Sequence, residues 1–467
     1  MIVERPYYCL AHITLEAQSA HGIHRGQGDT THDVLLVRDA NGLPALPGTS
    51  LAGVLRHAYR ERHGNTAAGR LFGQLGAQAQ PSWLNVGWGL VHDSRNQPCE
   101  GLIVDVASDP LLTFLQDSKP LVRQRVRLAH TGVASEGGKF DVTLIPAGVR
   151  YTSWLGYWCD DSDESRQYWH DLLALLNGQT LLLGHSTRSG NGHFQIQRLV
   201  HARWDLRTPE GRQAYVARPR TRRDSHGLHC VENTLANERL QVSLQLQAEA
   251  GWRIGGGERS LNRHERTPDL VPQHELCVQW CSDQASLSQH YHLLPGSAVK
   301  GALRHRVAYH YRCLTGDFAG MGGSPVPEQC PAVVSLFGQA ADEAAAGLLL
   351  FHDLRLEQPS STVLMHNRID RFTGGVIDGA LFSEEVLWQT PLNLRIGTLQ
   401  PQRLAQLDAT TRKALQRALV DLSQGWLPLG AYGSRGLGVF SDPSGQGPQW
   451  SDAGQWINGA PAMGVGA

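Results

Sequence analysis

The chain has 467 residues, a formal net charge of −1, 41% hydrophobic and 18% charged residues. That length holds two domains of ordinary size, each able to bury a core, and the composition excludes a disordered or collagen-like chain. No apolar run approaches the roughly 20 residues needed to cross a bilayer, so a membrane partner is excluded too. The opening Met1–Pro6 lacks the charged and apolar blocks of a signal peptide, and a cytoplasmic protein is expected.

Taken in order, residues 7 to 19 alternate in a β-like pattern. After Pro47-Gly48, apolar Leu51, Val54, Leu55, Ala58 and Tyr59 fall at helical spacing, with Thr49 or Ser50 as the expected cap. Residues 86 to 92, about 121 to 128 and about 142 to 155 read as strands, and a second helix is expected at about 165 to 177. A glycine-rich loop, Gly184 to Gly192, precedes a closing strand. The stretch from Arg203 to Arg223 also holds Arg207, Arg212, Arg218, Arg220 and Arg222, which fits either a phosphate contact or a solvated linker. Lysine occurs only at positions 119, 139, 300 and 413. Arginine suits bidentate phosphate contacts, although a GC-rich genome gives the same bias.

The series then repeats. Leu46-Pro47-Gly48-Thr49-Ser50 through His57 returns as Leu294-Pro295-Gly296-Ser297-Ala298 through His305, with Ser297 as the second expected cap. Leu71-Phe72-Gly73-Gln74 returns as Leu336-Phe337-Gly338-Gln339, and Leu90 to Arg95 as Leu350 to Arg355. Thr131-Gly132 through Phe140 matches Thr373-Gly374 through Phe382. Gly184 to Phe194 matches Gly430 to Phe440. Strands are expected at 240 to 250 and 346 to 353, and a helix at about 401 to 420. Five blocks in one order mean a duplication. The division expected is a first domain over 1–205, an Arg-rich linker over 206–238, a second domain over 239–441 and a flexible tail over 442–467. In each half the order β-α-β-β-α-β predicts α+β, two tandem ferredoxin-like domains.

Several motifs suit a polyanion. The Pro-Gly-Ser/Thr turns deliver helix N-termini whose N–H groups lack partners. Ser50 and Ser297 stand at these turns, and Arg56 and Arg60, like Lys300 and Arg304, lie four apart on the helix that follows. An ordinary capped helix with a solvated face is the plain alternative. The two glycine-rich loops carry Arg188 and Arg435, where backbone approaches closely and a guanidinium grips. A tight turn alone is the bland reading, but it recurs in both halves. Cys313 and Cys330 bracket an insertion and are candidate zinc ligands, without a tight C-x-x-C pair; the other cysteines are expected to be free thiols.

Pro295-Gly296-Ser297-x-x-Lys300-Gly301-x-Leu303-Arg304 resembles the signature helix of RAMP proteins in type III CRISPR complexes. Ile369-Asp370-Arg371-Phe372-Thr373-Gly374-Gly375 with Gly379 to Val386 resembles the hairpin of their backbone subunit, and Gly433-Ser434-Arg435-Gly436-Leu437-Gly438 their glycine-rich loop. Two fused copies look most like the doubled backbone subunit of subtype III-D. The resemblance implies a guide-RNA (crRNA)-binding subunit that also meets target RNA, other RAMP backbone subunits and a large polymerase-like subunit. It implies thumb hairpins at about Arg127 to Val142 and Ile369 to Val386, with Thr131, Phe140, Asp370, Arg371, Thr373 and Phe382 as thumb residues. It also implies cleavage of the target RNA with Mg²⁺ or Mn²⁺ beside a thumb aspartate. Asp33 sits where that aspartate is expected, as catalytic and metal-binding residue. In the second half Glu275 takes the place by strand alignment, whereas counting back from the Pro-Gly turn reaches Cys281; the first thumb, for its part, lacks the Ile-Asp-Arg of the second. A non-catalytic RNA-binding subunit and a guide-processing RAMP endoribonuclease are the alternatives.

Overall fold

In the computed structural model the described residues are 5–24, 35–76, 79–103, 105–129, 133–177, 180–232, 239–317, 330–339 and 345–458. The first half runs β1 (Tyr7–Ala17), α1 (Gly48–Phe72), β2 (Leu84–Val86), β3 (Gly89–Val91), β4 (Leu121–Leu128), β5 (Ala134–Leu144), β6 (Arg150–Cys159), α2 (Asp163–Leu176) and β7 (His193–Asp205). Its sheet has the order β7-β1-β6-β3. This is fourth-first-third-second, the antiparallel ferredoxin-like arrangement. The helices cover one face: Leu51, Leu55 and Tyr59 of α1 and Leu172 and Leu176 of α2 pack on Cys9, Ile13 and Leu15 of β1. Each such side chain contributes about 1.5–3 kcal/mol by leaving water.

A short helix, α3 (Pro209–Val216), follows. The second half repeats the plan as β8 (Arg239–Ala248), β9 (Val278–Cys281), β10 (Gln284–Leu287), α4 (Gly296–Thr315), β11 (Leu350–Phe351), β12 (Leu354–Leu356), β13 (Ser361–His366), β14 (Phe382–Trp388), β15 (Pro391–Thr398), α5 (Ala409–Ser423) and β16 (Phe440–Ser441). Its sheet order, β11-β15-β8-β16, is the same permutation. Its core gathers Leu244 and Leu246 with Leu303, Val307, Leu415 and Leu419.

The structure corrects several expectations. Neither α1 nor α4 is capped by a side chain: Pro47 and Pro295 occupy the cap positions, so Thr49, Ser50 and Ser297 fall inside the first turns. The strand expected over 142–155 is two strands, β5 and β6, parted by Ile145 to Val149. The Arg-rich linker is mostly exposed, but a few of its side chains anchor it to the first half. Tyr215 meets the Tyr8 ring edge-on at 5.3 Å, Arg218 stacks on both, and Arg222 pairs with Glu100. The tail also folds back, because its aromatic residues have somewhere to go. Gln449–Trp450 pairs with β8, and Trp456 is buried with its indole N–H donating to Gln241 Oε1 at 2.8 Å. Residues 459–467 lie outside the described residues.

Register also amends one block of the repeat. Phe351 pairs with Ile396 as Val86 pairs with Leu155, and Leu354 pairs with Leu294 as Gly89 pairs with Leu46. Asp353 is therefore the counterpart of Trp88, not of Asp93.

The halves join head to tail. Between Glu275 and Tyr291 the second half carries fifteen residues (276–290), where the first has three (40–42) between Asp39 and Leu43. The extra residues include the β9–β10 hairpin, which reaches onto the first half. Val278 N–H donates to Ala147 O at 2.8 Å, Trp280 Nε1 to Gly148 O at 2.7 Å, and Ala285 N–H to Ser94 O at 2.8 Å. Beside this arm lies a buried ionic hub. Arg123 of β4 pairs with both oxygens of Glu275, with Asp353 Oδ2 at 2.6 Å, and donates to Asn191 Oδ1 at 2.8 Å.

Candidate nucleic-acid interface

The two glycine-rich loops are built alike. His185 N–H donates to Gly22 O, and Ala431 N–H to Arg253 O. Gly192 and Gly438 donate to Ala20 and Gly251 in the same way. Gly184 and Gly430 stand at φ +89° and +96°, and a Cβ at either would overlap the carbonyl oxygen it adjoins. Glycine is required at these places by geometry. Ser189 N–H bonds Ser186 O as Arg435 N–H bonds Tyr432 O. The two arginines are thus one position out of step: Arg188 corresponds to Ser434, and Arg435 to Ser189. Arg435 is exposed beside Tyr432, its guanidinium 4.8 Å from the ring centre.

The loop of the first half meets the helix of the second. Gly190 packs against Asp353, and Asp353 Oδ1 accepts the Gly296 N–H at the start of α4 at 2.9 Å. This brings Arg188 to Lys300 and Arg304. Arg125, on the same face of β4 as Arg123, completes the cluster. Burial, then Arg188, Arg304 and Arg125, push the Lys300 pKa down to about 8. Burial and then Arg403 lower that of Arg188. Arg125 donates to Ser186 Oγ at 3.0 Å, while its Nε and Nη2 are buried without a partner. Cations held together and half desolvated are unfavourable unless an anion joins them. Arg188, Lys300 and Arg304 were expected to meet nucleic acid, and the structure places them together across the joint. Arg125 was missed; the alternation Arg123, Arg125, Arg127 is the signal that marks it. Arg56 is exposed on α1, and nothing draws it to this cluster. Ser50 and Ser297 are half-buried beside the starts of α1 and α4.

Both hairpins expected as thumbs are present. β4 and β5 form the first, with Val126, Leu128, Val133 and Phe140 exposed; Thr131 lies outside the described residues. β13 and β14 form the base of the second. At its far end Asp370 accepts the N–H groups of Phe372 and Thr373, a local turn that leaves Phe372 99% exposed. Arg371 and Thr373 are exposed beside it, and Phe382 stacks on His366 at 5.0 Å.

Glu275 has a different part from the one expected. It is buried, and Arg123 engages both its oxygens, so none is left to hold an ion or meet a phosphate. Asp33 lies outside the described residues, but its surroundings give a register. Val37 N–H bonds Ile23 O as Gln273 N–H bonds Ile254 O, and the bridge His24–Leu36 recurs as Gly255–Pro272. Counting three residues back from Leu36 and Pro272 reaches Asp33 and Asp269. The repeated Thr-x-Asp followed by two apolar residues (Thr31 to Leu35, Thr267 to Val271) is the signal that finds it. Asp269 is exposed at the base of the second thumb. Its Oδ2 accepts from the Ser383 N–H at 2.7 Å and the Ser383 hydroxyl at 2.9 Å. The backbone and side-chain bonds from Ser383 hold its carboxyl below the usual range, with Arg266 adding to this.

Cys313 is exposed and Cys330 buried, and among the described residues no three metal-ligating side chains gather.

Fold and site together define a tandem ferredoxin-like protein with a cluster of basic side chains where its halves meet. The family model of the RAMP superfamily matches residues 14–195 and 250–441, and the chain belongs to that superfamily, once in each half. None of the curated proteins matches it. Similar solved structures include the type III-B Cmr-beta cryo-EM structure in the apo state and that bound to cognate target RNA. They are 12% and 11% identical, each match covering 40% of this chain and 96% of that chain at a TM-score of 0.31.

Proposed function

We propose that this protein is a guide-RNA-binding backbone subunit of a type III CRISPR ribonucleoprotein, which positions target RNA and cuts it. The observation that carries the reading is the Arg125–Arg188–Lys300–Arg304 cluster at the joint, bordered by a glycine-rich loop and a helix start. A phosphodiester backbone running across the joint neutralises it and meets the free N–H groups of Arg125. The thumbs then stand beside the bound strand, each offering exposed apolar side chains to a base step. Other RAMP subunits and a large polymerase-like subunit complete the complex.

Cutting is assigned to Asp33 and Asp269. One oxygen of Asp269 is fixed by Ser383, which leaves the other to hold a hydrated Mg²⁺ or Mn²⁺ with phosphate oxygens as further ligands. Such an ion supplies charge stabilisation at the phosphate and a more acidic water or hydroxyl. Ser383 orients the carboxylate and keeps it ionised.

The test is reconstitution with guide RNA and a complementary target. Arg125→Ala and Lys300→Ala each weaken guide binding and flatten its salt dependence by about one ion. Asp33→Ala and Asp269→Ala each remove a different cut, whereas Glu275→Gln leaves the cut positions unchanged. Unchanged salt slopes in both cation variants refute RNA binding at the basic cluster. Retention of every cut in both aspartate variants leaves a structural RNA-binding subunit, and specific cutting of precursor RNA favours guide processing.

A further inference from the structure

Strand β14 carries a second carboxylate beside the one that fixes Asp269. Ser383, which bonds Asp269, and Glu385 are alternate residues of β14, so their side chains leave one face of it roughly 7 Å apart. Glu385 is fully buried. Its Oε1 accepts from the Asn262 amide at 2.9 Å and the Ser361 hydroxyl at 2.8 Å. Its Oε2 is buried with no hydrogen-bond partner, so the carboxylate is short of a cation. Burial raises the Glu385 pKa, but the bonds from Asn262, Ser260, Ser361 and His264 outweigh it and keep the group below the usual carboxylate range.

His264 is placed to become the missing cation. Its Nε2 is buried 3.2 Å from Glu385 Oε1, in contact without an aligned hydrogen bond, and the side chain is 16% exposed. A carboxylate draws the imidazole proton to the nitrogen that faces it, which leaves the lone pair of Nδ1 as the outward group. Around this pair, His292 faces Glu385 from the strand Tyr291–Leu294, and Arg266 faces Asp269.

The first half lacks the arrangement. The bridge His21–Ile145 recurs as Trp252–Leu387, so Asp141 and Thr143 stand where the second half has Ser383 and Glu385. Thr143 has no carboxylate to set behind an imidazole. Its carbonyl instead accepts from His24 Nε2 at 3.1 Å.

We propose that His264 is the general base of the Asp269 cut, with Glu385 as its positioning residue. The inference rests on the cutting role given to Asp269 above. A phosphodiester held at Asp269 brings its ribose beside His264, and Nδ1 takes the proton of the 2′-hydroxyl. The 2′ oxygen bonds to phosphorus as the bond from phosphorus to the 5′ oxygen breaks, and the 5′ oxygen leaves with a proton from water. The products are a 2′,3′-cyclic phosphate and a 5′-hydroxyl end, and the imidazolium returns its proton to solvent. Glu385 stabilises that imidazolium while it lasts, as a buried carboxylate behind a catalytic histidine does elsewhere.

The reconstituted complex with guide and target tests this, the Asp33 cut serving as internal control. His264→Ala slows the Asp269 cut on the order of 100-fold or more and leaves RNA affinity and the Asp33 cut unchanged. Glu385→Gln slows the same cut by a smaller factor. In the wild type this cut slows toward acid as the base is protonated; His264→Ala flattens that limb, and added imidazole restores part of its rate. In the metal-free complex, a target with 2′-deoxyribose at the cut shields His264 from diethyl pyrocarbonate, read by peptide mass. A cut that is lost in Asp269→Ala but keeps its rate and pH profile in His264→Ala overturns the inference and leaves the proposed function standing. A slower cut with a lowered melting temperature and no imidazole rescue also overturns it, since His264 then only fastens the loop. Retention of the cut in Asp269→Ala overturns both.

Discussion

Arg123→Met removes the one cation of the buried hub while keeping most of its volume. Arg123 is 3% exposed, and the side chains of Glu275 and Asp353 are 4% and 9% exposed. The substitution leaves two buried carboxylates without their cation, Asp353 keeping the bond from the Gly296 N–H. Breaking a buried pair in this way costs about 3–5 kcal/mol. The loss is limited by protonation: an unpaired buried carboxyl has its pKa raised above the unfolded value, and each unit is worth about 1.4 kcal/mol. A raised folded-state pKa means stability is fully present below the unfolded pKa and lost as pH rises through the folded one. The variant is therefore expected to come closest to the wild type in mild acid and to fall furthest behind above neutral pH. The assay is urea unfolding followed by tryptophan fluorescence across pH. Proteolysis in the 206–238 segment reports separation of the halves, since two domains need not unfold as one. Adding Glu275→Met and Asp353→Asn recovers most of the stability, because the charges go with their partner. A loss below about 1 kcal/mol with no dependence on pH would refute the reasoning, as the carboxylates would then be hydrated.

Lys300 gives the guide complex its own pH dependence. With a free pKa near 8, RNA binding raises that value, so affinity holds below pH 8 and falls as pH climbs above it. Lys300→Arg abolishes this trend, which a filter-binding series at fixed salt reads directly. Trp456→Ala removes a buried indole and its bond to Gln241 Oε1, lowering stability by about 3–5 kcal/mol in thermal unfolding. Phe372→Ala touches nothing in the fold, so stability changes by less than about 0.5 kcal/mol, while chemical probing of the guide–target duplex shows one fewer disrupted step.

Much of the fold was legible because its signals are local. Leu51, Val54, Leu55 and Tyr59 mark one helix face, and strand alternation marks β1 and β8. Gly184, Gly192, Gly430 and Gly438 stand where a side chain cannot fit, so they recur at one spacing. The misreadings also have local causes. Ser441 onward is rich in small residues, and composition alone hid Trp450 and Trp456, which carry the tail back onto β8. Leu90 to Arg95 resembles Leu350 to Arg355 in letters, but strand register places Trp88, not Asp93, opposite Asp353.

The joint was illegible for a deeper reason. Arg123 and Glu275 are separated by 152 positions, and neither belongs to a motif. An arginine in a strand and a glutamate two residues before a cysteine carry no mark of each other until both halves are folded. The β9–β10 insertion compounds this, because it lies between Glu275 and the Pro295-Gly296 turn. Any count backwards from that turn crosses the insertion and arrives at Cys281, while strand matching without the hydrogen bonds of Gln273 stops at Glu275. The correct counterpart, Asp269, precedes both anchors. The same insertion also makes the two halves unequal partners: the second holds the first by an arm that the first does not possess. The order of the halves is therefore fixed by the chain's own packing, and both thumbs project from copies related by one head-to-tail step. On the proposed function, a strand bound across the joint meets them one after the other, in an order that the Arg123 hub holds.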